Sequence, residues 1–210
     1  MPRNAGVSSR KEPQQARSSE LVAAVLSAAI QVLEAEGAQR FTMARVAERA
    51  GVSVGSLYQY FPNKAAILFR LQSDEWHQTS AMLRAILEDG TMSPGARVRA
   101  LVHAFIRSEC EEAAVRLALD DAAPFYRDAP EAIEARADST QIVQSFLRES
   151  APGASDGERA IAGDIMKTTL SGVGSSFSAI PRAPDEINAY ADALADMLCA
   201  YLERLAGGAD

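Results

Sequence analysis

The sequence predicts an all-α protein of about nine helices, and three observations carry that expectation. Apolar residues recur every three or four positions through most of the 210-residue chain, the period of a helix with one buried face. Gly, Pro and Ser/Thr/Asn residues fall between those stretches, where helices would stop and start. The third is a single segment, Phe41 to Lys64, which reads as two short helices joined by a tight turn.

In that segment Thr42 can cap the first helix by accepting from a free N–H group of its first turn. Met43, Val46, Ala47 and Ala50 follow at helical spacing, and Gly51 ends the helix because glycine adopts the left-handed conformation at little cost. After Val52, Ser53 can cap a second helix carrying Val54 to Phe61. That helix has one clearly apolar residue, Leu57, among Gly55, Ser56, Tyr58, Gln59 and Tyr60, where a helix that only packed would carry a wider stripe. The spacing fits a helix-turn-helix, whose second helix enters the DNA major groove. Pro62 ends it, Asn63 can cap the next helix, and Lys64 falls in that helix's first turn. A cation there opposes the helix dipole, and a phosphate held by free N–H groups and the ammonium would explain it.

The stretch FTMARVAERAGVSVGSLYQYFPNKAAIL resembles the DNA-binding signature of TetR-family transcriptional regulators. The resemblance runs from Leu21 to Leu68, with Thr42, Val46, Ala47, Ala50, Gly51, Val52, Ser53, Gly55, Leu57, Tyr58, Tyr60, Phe61 and Lys64 in register. It implies an N-terminal three-helix head joined by a long helix to a C-terminal effector-binding and dimerisation domain. It further implies a homodimer that binds double-stranded DNA at a palindromic operator and lets go when a small molecule enters the body. Most relatives repress, although the sequence leaves activation open. The expected division is a basic arm at 1–18, disordered in the free protein, the DNA-binding domain at 19–66 and the effector domain at 67–210.

Charge agrees with this division. The net charge is −7, which by itself argues against nucleic acid. Up to Arg70, however, nine Lys and Arg face five Asp and Glu, a balance of +4, and the remainder has twelve against twenty-three, −11. A basic head on an acidic body is the expected electrostatic footprint. The polar arm, with Arg3, Arg10, Lys11 and Arg17, can reach phosphates or a minor groove, or can simply aid solubility. Ser19 to Glu36 is the first expected helix, with Leu21, Val22, Val25, Leu26, Ala29, Ile30 and Leu33 on one face, and Gly37 ends it. Phe41, Val46, Val52, Leu57 and Phe61 complete the expected head core.

Beyond the head, one helix is expected from Asn63 to about Glu88, and another starts at Ser93-Pro94 and carries Val98, Leu101, Val102, Phe105 and Ile106. A short helix through Leu119 follows, then a loop over 120–130. The last three helices are expected over Glu131–Glu149, Glu158 to about Ala179, and Asp185 to about Ala206. No stretch approaches the roughly 20 apolar residues of a membrane span, and the start lacks the apolar core of a signal peptide. Cys110 and Cys199 lie far apart, outside any metal-ligand spacing, and read as reduced residues of a cytoplasmic protein.

Residue chemistry divides the DNA contacts. No Lys or Arg lies between Val54 and Phe61, so the common arginine-to-guanine fork is excluded there. Gln59 can bond adenine in a bidentate manner, Val54 can touch a thymine methyl, and Gly55 lets the backbone come close. Thr42, Ser53, Ser56, Tyr58, Tyr60 and Lys64 are, by resemblance and hydrogen-bonding capacity, phosphate contacts. The resemblance places an effector pocket between the long helix, the helix around His103 and the helix around Met166. Trp76, His103, Phe105, Phe125, Tyr126, Met166 and Phe177 are its candidate lining, each equally able to be plain core, and a hydrophobic or cationic molecule suits them. The last helix carries a stripe from Ile187 to Leu205, of which Tyr190, Leu194, Leu198, Tyr201 and Leu202 are the expected dimer contacts. No cofactor, metal site or catalytic residue is expected. His103 and Cys110 share a helix face but stand about 10.5 Å apart, beyond the roughly 3 Å that a nucleophile and its base require. A helical adaptor using the same stripe on another protein is the remaining alternative.

Overall fold

The computed structural model describes residues 12–122 and 130–207. Among them are nine α-helices and one short 3₁₀ turn: α1 (Glu12–Glu36), the turn Ala38–Arg40, α2 (Met43–Ala50), α3 (Val54–Tyr60), α4 (Lys64–Leu87), α5 (Pro94–Glu111), α6 (Ala113–Ala122), α7 (Pro130–Ser150), α8 (Asp156–Ser178) and α9 (Pro184–Gly207). The chain divides into two compact units. One holds the described residues up to Leu71 and α6 from Leu117 onward, and the other holds Gln72–Arg116 with α7, α8 and α9. The division falls one turn past the expected boundary at 66/67, because Ile67, Leu68 and Leu71 of α4 are still buried.

In the first unit, α1 packs on α2 and α2 on α3. Its core is Val25, Ala28, Ala29, Val32 and Leu33 of α1 with Phe41, Met43, Val46, Ala47, Leu57 and Phe61. Val52, expected in that core, is only half-buried. Two expectations need correction. Helix α1 starts at Glu12 rather than Ser19, so it takes in part of the stretch expected as the arm. Glu, Gln, Ala and Arg are good helix formers, and Pro13 is tolerated in a first turn, whose N–H groups lack partners anyway. The remainder of the arm lies outside the described residues. Second, Ser18–Glu36 is, by length and mean hydropathy (1.4), long and apolar enough to cross a membrane. Alanines raise that mean, and Val25, Ala28, Ala29, Val32 and Leu33 form the face packed into the head.

In the second unit, α5 is central, packing on both α8 and α9, while α7 packs on α8. Val98, Leu101, Val102 and Ile106 of α5 meet Phe146 and Leu147 of α7, Met166 and Leu170 of α8, and Leu194, Leu198 and Leu202 of α9 in one cluster. Ser93 caps α5 with Pro94 in the first turn, and Ser155 and Glu158 form a reciprocal capping box on α8. Arg97, 3% exposed, ties this unit together. It donates to Met92 O at 3.1 Å, to Leu87 O at 3.0 Å, and in a fork to Glu149 at 3.1 and 2.9 Å. Leu87 ends α4, so its carbonyl has no helical partner and needs such a donor.

Candidate nucleic-acid interface

The turn between α2 and α3 is built as its residues require. Thr42 Oγ1 accepts from Arg45 N at 3.3 Å, Gly51 takes the left-handed conformation (φ 68°, ψ 26°), and Ser53 Oγ accepts from Ser56 N at 3.0 Å. Helix α3 rests on one fully buried side chain, Leu57. Everything else on it faces outward or is half-buried: Val54 is 40% exposed, Tyr58 52% and Tyr60 38%, with Gly55 and Gln59 also exposed. A Cβ added to Gly55 would meet only Ser53 Oγ, at 3.9 Å. The fold therefore makes no demand for glycine there, although glycine in a helix costs about 1 kcal/mol relative to alanine.

Hydroxyl geometry sharpens the phosphate set. Ser53 Oγ and Ser56 Oγ lie 2.8 Å apart and share one hydrogen bond. Whichever donates, one hydroxyl hydrogen of the pair stays available for an acceptor outside. Asn63 Oδ1 caps α4 by accepting from Ala66 N at 3.0 Å. Lys64 is exposed in that first turn and has no ion-pair partner among the described residues. The structure thus gathers Thr42, Ser53, Val54, Gly55, Ser56, Tyr58, Gln59, Tyr60 and Lys64 on or beside the helix-turn-helix. Residue-type reasoning passed over Arg40, Arg45 and Arg49, three exposed cations of the same unit. Their position at helix and turn ends was the available signal.

The expected effector residues among those described have differing surroundings. Met166 and Phe177 are buried in the hydrophobic cluster, because α8 packs its apolar face on α5 and α7. Phe177 also stacks on Tyr190, with ring centroids 3.9 Å apart, and carries the Arg182 guanidinium 4.5 Å from its centroid. His103 turns Nε2 to Asp192 Oδ1 at 3.0 Å. Trp76 and Phe105 are half-buried, and Phe125 and Tyr126 lie outside the described residues. A shallow surface groove of about 650 Å³, widely open to solvent, lies elsewhere, lined by His77, Ser80, Ala81, Arg84, Ala85, Glu88, Asp89 and Asp138.

A cluster of charged side chains lies between α4, α5 and the start of α6. Arg116 reaches Glu75 at 2.5 Å, Glu109 at 3.1 Å and Glu112 at 2.9 Å, while Gln72 and Thr79 donate to Glu75. Gly174 of α8 makes room for this cluster, since a Cβ there would stand 2.9 Å from Glu109 Cγ and 3.0 Å from Phe105 Cε1. Cys110, half-buried beside it, has its thiol pushed up by burial, against the direction a nucleophile needs.

Part of the expected dimer stripe is buried within the single chain. Leu194, Leu198 and Leu202 are 7%, 2% and 4% exposed in the single chain, so they belong to its own core against α5. An apolar stripe says that a face is covered, not by what. Tyr201 is half-buried with Arg204 over its ring at 5.2 Å. Among the described residues, the large apolar side chains exposed on α8 and α9 are Ile161, Ile165, Tyr190 and Met197.

Comparison with known proteins gives this arrangement its family. Residues 25–71 match the model for bacterial regulatory proteins of the tetR family, and residues 93–205 match the Tetracyclin repressor-like C-terminal domain. The HTH-type transcriptional repressor KstR of Mycolicibacterium smegmatis is 38% identical over 68 residues, which covers 32% of this chain and 33% of that protein. The chain thus matches about a third of that relative's length. Among solved structures, the TetR family transcriptional regulator PfmR from Thermus thermophilus shares the fold with a TM-score of 0.67 at 19% identity, over 86% of this chain and 99% of that one. A tetR-family regulatory protein from Rhodococcus does so with a TM-score of 0.67 at 17% identity, over 90% and 98%. Two family models that together take in both units, one of them spanning more than half the chain, leave one assignment: this chain is a transcriptional regulator of the TetR family, not an enzyme.

Proposed function

We propose that the protein is a cytoplasmic repressor that binds a palindromic operator as a homodimer and releases it when a small molecule occupies the body. The observation that carries the DNA reading is α3 itself, which keeps one buried anchor, exposes Val54, Tyr58 and Gln59, and holds a glycine at position 55 that its own fold does not need. A duplex backbone pressed close to Gly55 supplies that need, with Gln59 reading a base edge and Val54 touching a thymine methyl. Thr42, the spare hydroxyl of Ser53 and Ser56, Tyr58, Tyr60 and Lys64 hold phosphates.

Repression is taken from KstR, a transcriptional repressor that matches about a third of this chain. Dimerisation uses the outer rows of α8 and α9, Ile161, Ile165, Tyr190 and Met197, since four large apolar side chains left outside on two helices favour a partner surface. The effector is a hydrophobic or cationic molecule, and its release of DNA requires a coupling of about 1–3 kcal/mol between the two sites. Selection from a random duplex library tests the reading: it should enrich a two-fold symmetric sequence, and Gln59→Ala should relax one base pair in each half-site. Enrichment of no sequence, or an equal loss for Gln59→Ala on selected and scrambled duplexes, would overturn the assignment of Gln59 and α3 to base reading.

A further inference from the structure

Two cations of the head stand in the first turn of a helix, Arg45 in α2 and Lys64 in α4. Both oppose the partial positive charge of a helix N-terminus. They differ in what faces them. Lys64 has no ion-pair partner among the described residues, whereas the Arg45 guanidinium contacts the Glu36 carboxylate. Glu36 is the last residue of α1, where a carboxylate is disfavoured by the negative end of that dipole. Each charge is thus at the wrong end of its own helix, and each compensates the other. Glu36 is 23% exposed and Arg45 44%, so the pair lies at the surface, within reach of solvent and of any ligand of α2. Arg45 also leaves the very turn that Thr42 caps, since Arg45 N donates to Thr42 Oγ1.

Building on the DNA-binding reading above, we propose that Glu36 is an internal phosphate surrogate, a positioning residue that holds Arg45 away from the duplex and so sets the head's sequence-independent affinity. Carboxylate and phosphate oxygens compete for the same guanidinium fork. While Glu36 occupies it, Arg45 adds nothing to the count of neutralised phosphates, and Lys64 does. Removing the carboxylate charge transfers Arg45 to a phosphate and raises that count by one per subunit.

The test is a salt titration of the full chain on random-sequence duplex DNA, followed by fluorescence anisotropy. Glu36→Gln, with Glu36→Ala as a second variant and helix content checked by circular dichroism, should bind more tightly than wild type. Its salt slope should steepen by about one per subunit, about two for a dimer, which makes the fall in affinity between about 50 and 200 mM salt roughly tenfold larger. Arg45→Gln should leave the wild-type slope unchanged, and the double variant should match Arg45→Gln. An unchanged slope in both Glu36 variants, or a lowered slope in Arg45→Gln alone, would overturn the inference. Wild-type protein that binds no duplex at any salt would overturn the DNA reading itself, and the control shows which has failed.

Discussion

The head and the body differ in how many of their arginines are held by acids. In the head, Arg40, Arg49 and Lys64 are exposed and have no carboxylate partner among the described residues, whereas Arg45 pairs with Glu36 and Arg70 also has a partner. In the body, Arg84, Arg97, Arg99, Arg116 and Arg159 all pair with acids of the same unit. The contrast changes the meaning of the charge balance. The body's acid excess is partly structural, neutralising arginines that hold helices together, while Arg40, Arg49 and Lys64 of the head are available to an outside anion. A cation's role is decided by the partner that the fold supplies, not by its count in the sequence.

The largest effect that would sharpen this comparison lies in the body's core. Leu198→Glu should unfold the second unit, losing more than about 4 kcal/mol from lost packing and an unpaired buried carboxylate. Met197→Glu, one residue away and 53% exposed, should keep the wild-type melting temperature and weaken self-association in light scattering. Equal melting temperatures for the two variants would break the placement of the Leu194–Leu198–Leu202 row inside the protomer.

Next in size is Arg116→Met. It strands Glu75, Glu109 and Glu112 without their guanidinium, and breaking one side of a mostly buried ionic cluster costs on the order of 3 kcal/mol. Thermal melts should show that loss in the second unit, whereas Arg49→Met in the head should shift stability by less than about 0.5 kcal/mol. A smaller, pH-dependent effect belongs to the Arg97–Glu149 pair. The hydrogen bonds from Arg97 hold the Glu149 carboxyl below its usual 4.5. A depressed carboxylate adds stability that is present above the unfolded value and lost as pH falls through the folded one. Melting temperature should therefore drop below about pH 4.5 in wild type, and Glu149→Gln should flatten part of that drop.

The head was legible in sequence because its determinants are local. Thr42, Ser53 and Asn63 each cap a helix by bonding an N–H three residues on, so the motif's own residues state its geometry. The body was legible as helices but not as a site. Arg116 and Glu75 are 41 residues apart, and Arg97 and Glu149 are 52 apart, so nothing local marks them as partners. Aromatic and sulfur side chains such as Phe177 and Met166 suited a pocket by type, yet packing put them in the core. Likewise the helix period of α9 marked a covered face without naming α5 as its cover. Helix α1 ran further than expected because the residues before Ser19, though polar, are good helix formers.

The most direct measurement of the central claim is the salt dependence of binding to random duplex DNA for wild type, Lys64→Ala and Arg84→Ala. Lys64, at the start of α4, has no ion-pair partner among the described residues, while Arg84, farther along the same helix, pairs with Glu88 and Asp138. Lys64→Ala should lower the slope by about one per subunit and weaken all sequences alike, and Arg84→Ala should leave the slope as it is in wild type. A slope unchanged by Lys64→Ala, or lowered equally by Arg84→Ala, would contradict the division between a head that meets phosphate and a body that keeps its charges for itself.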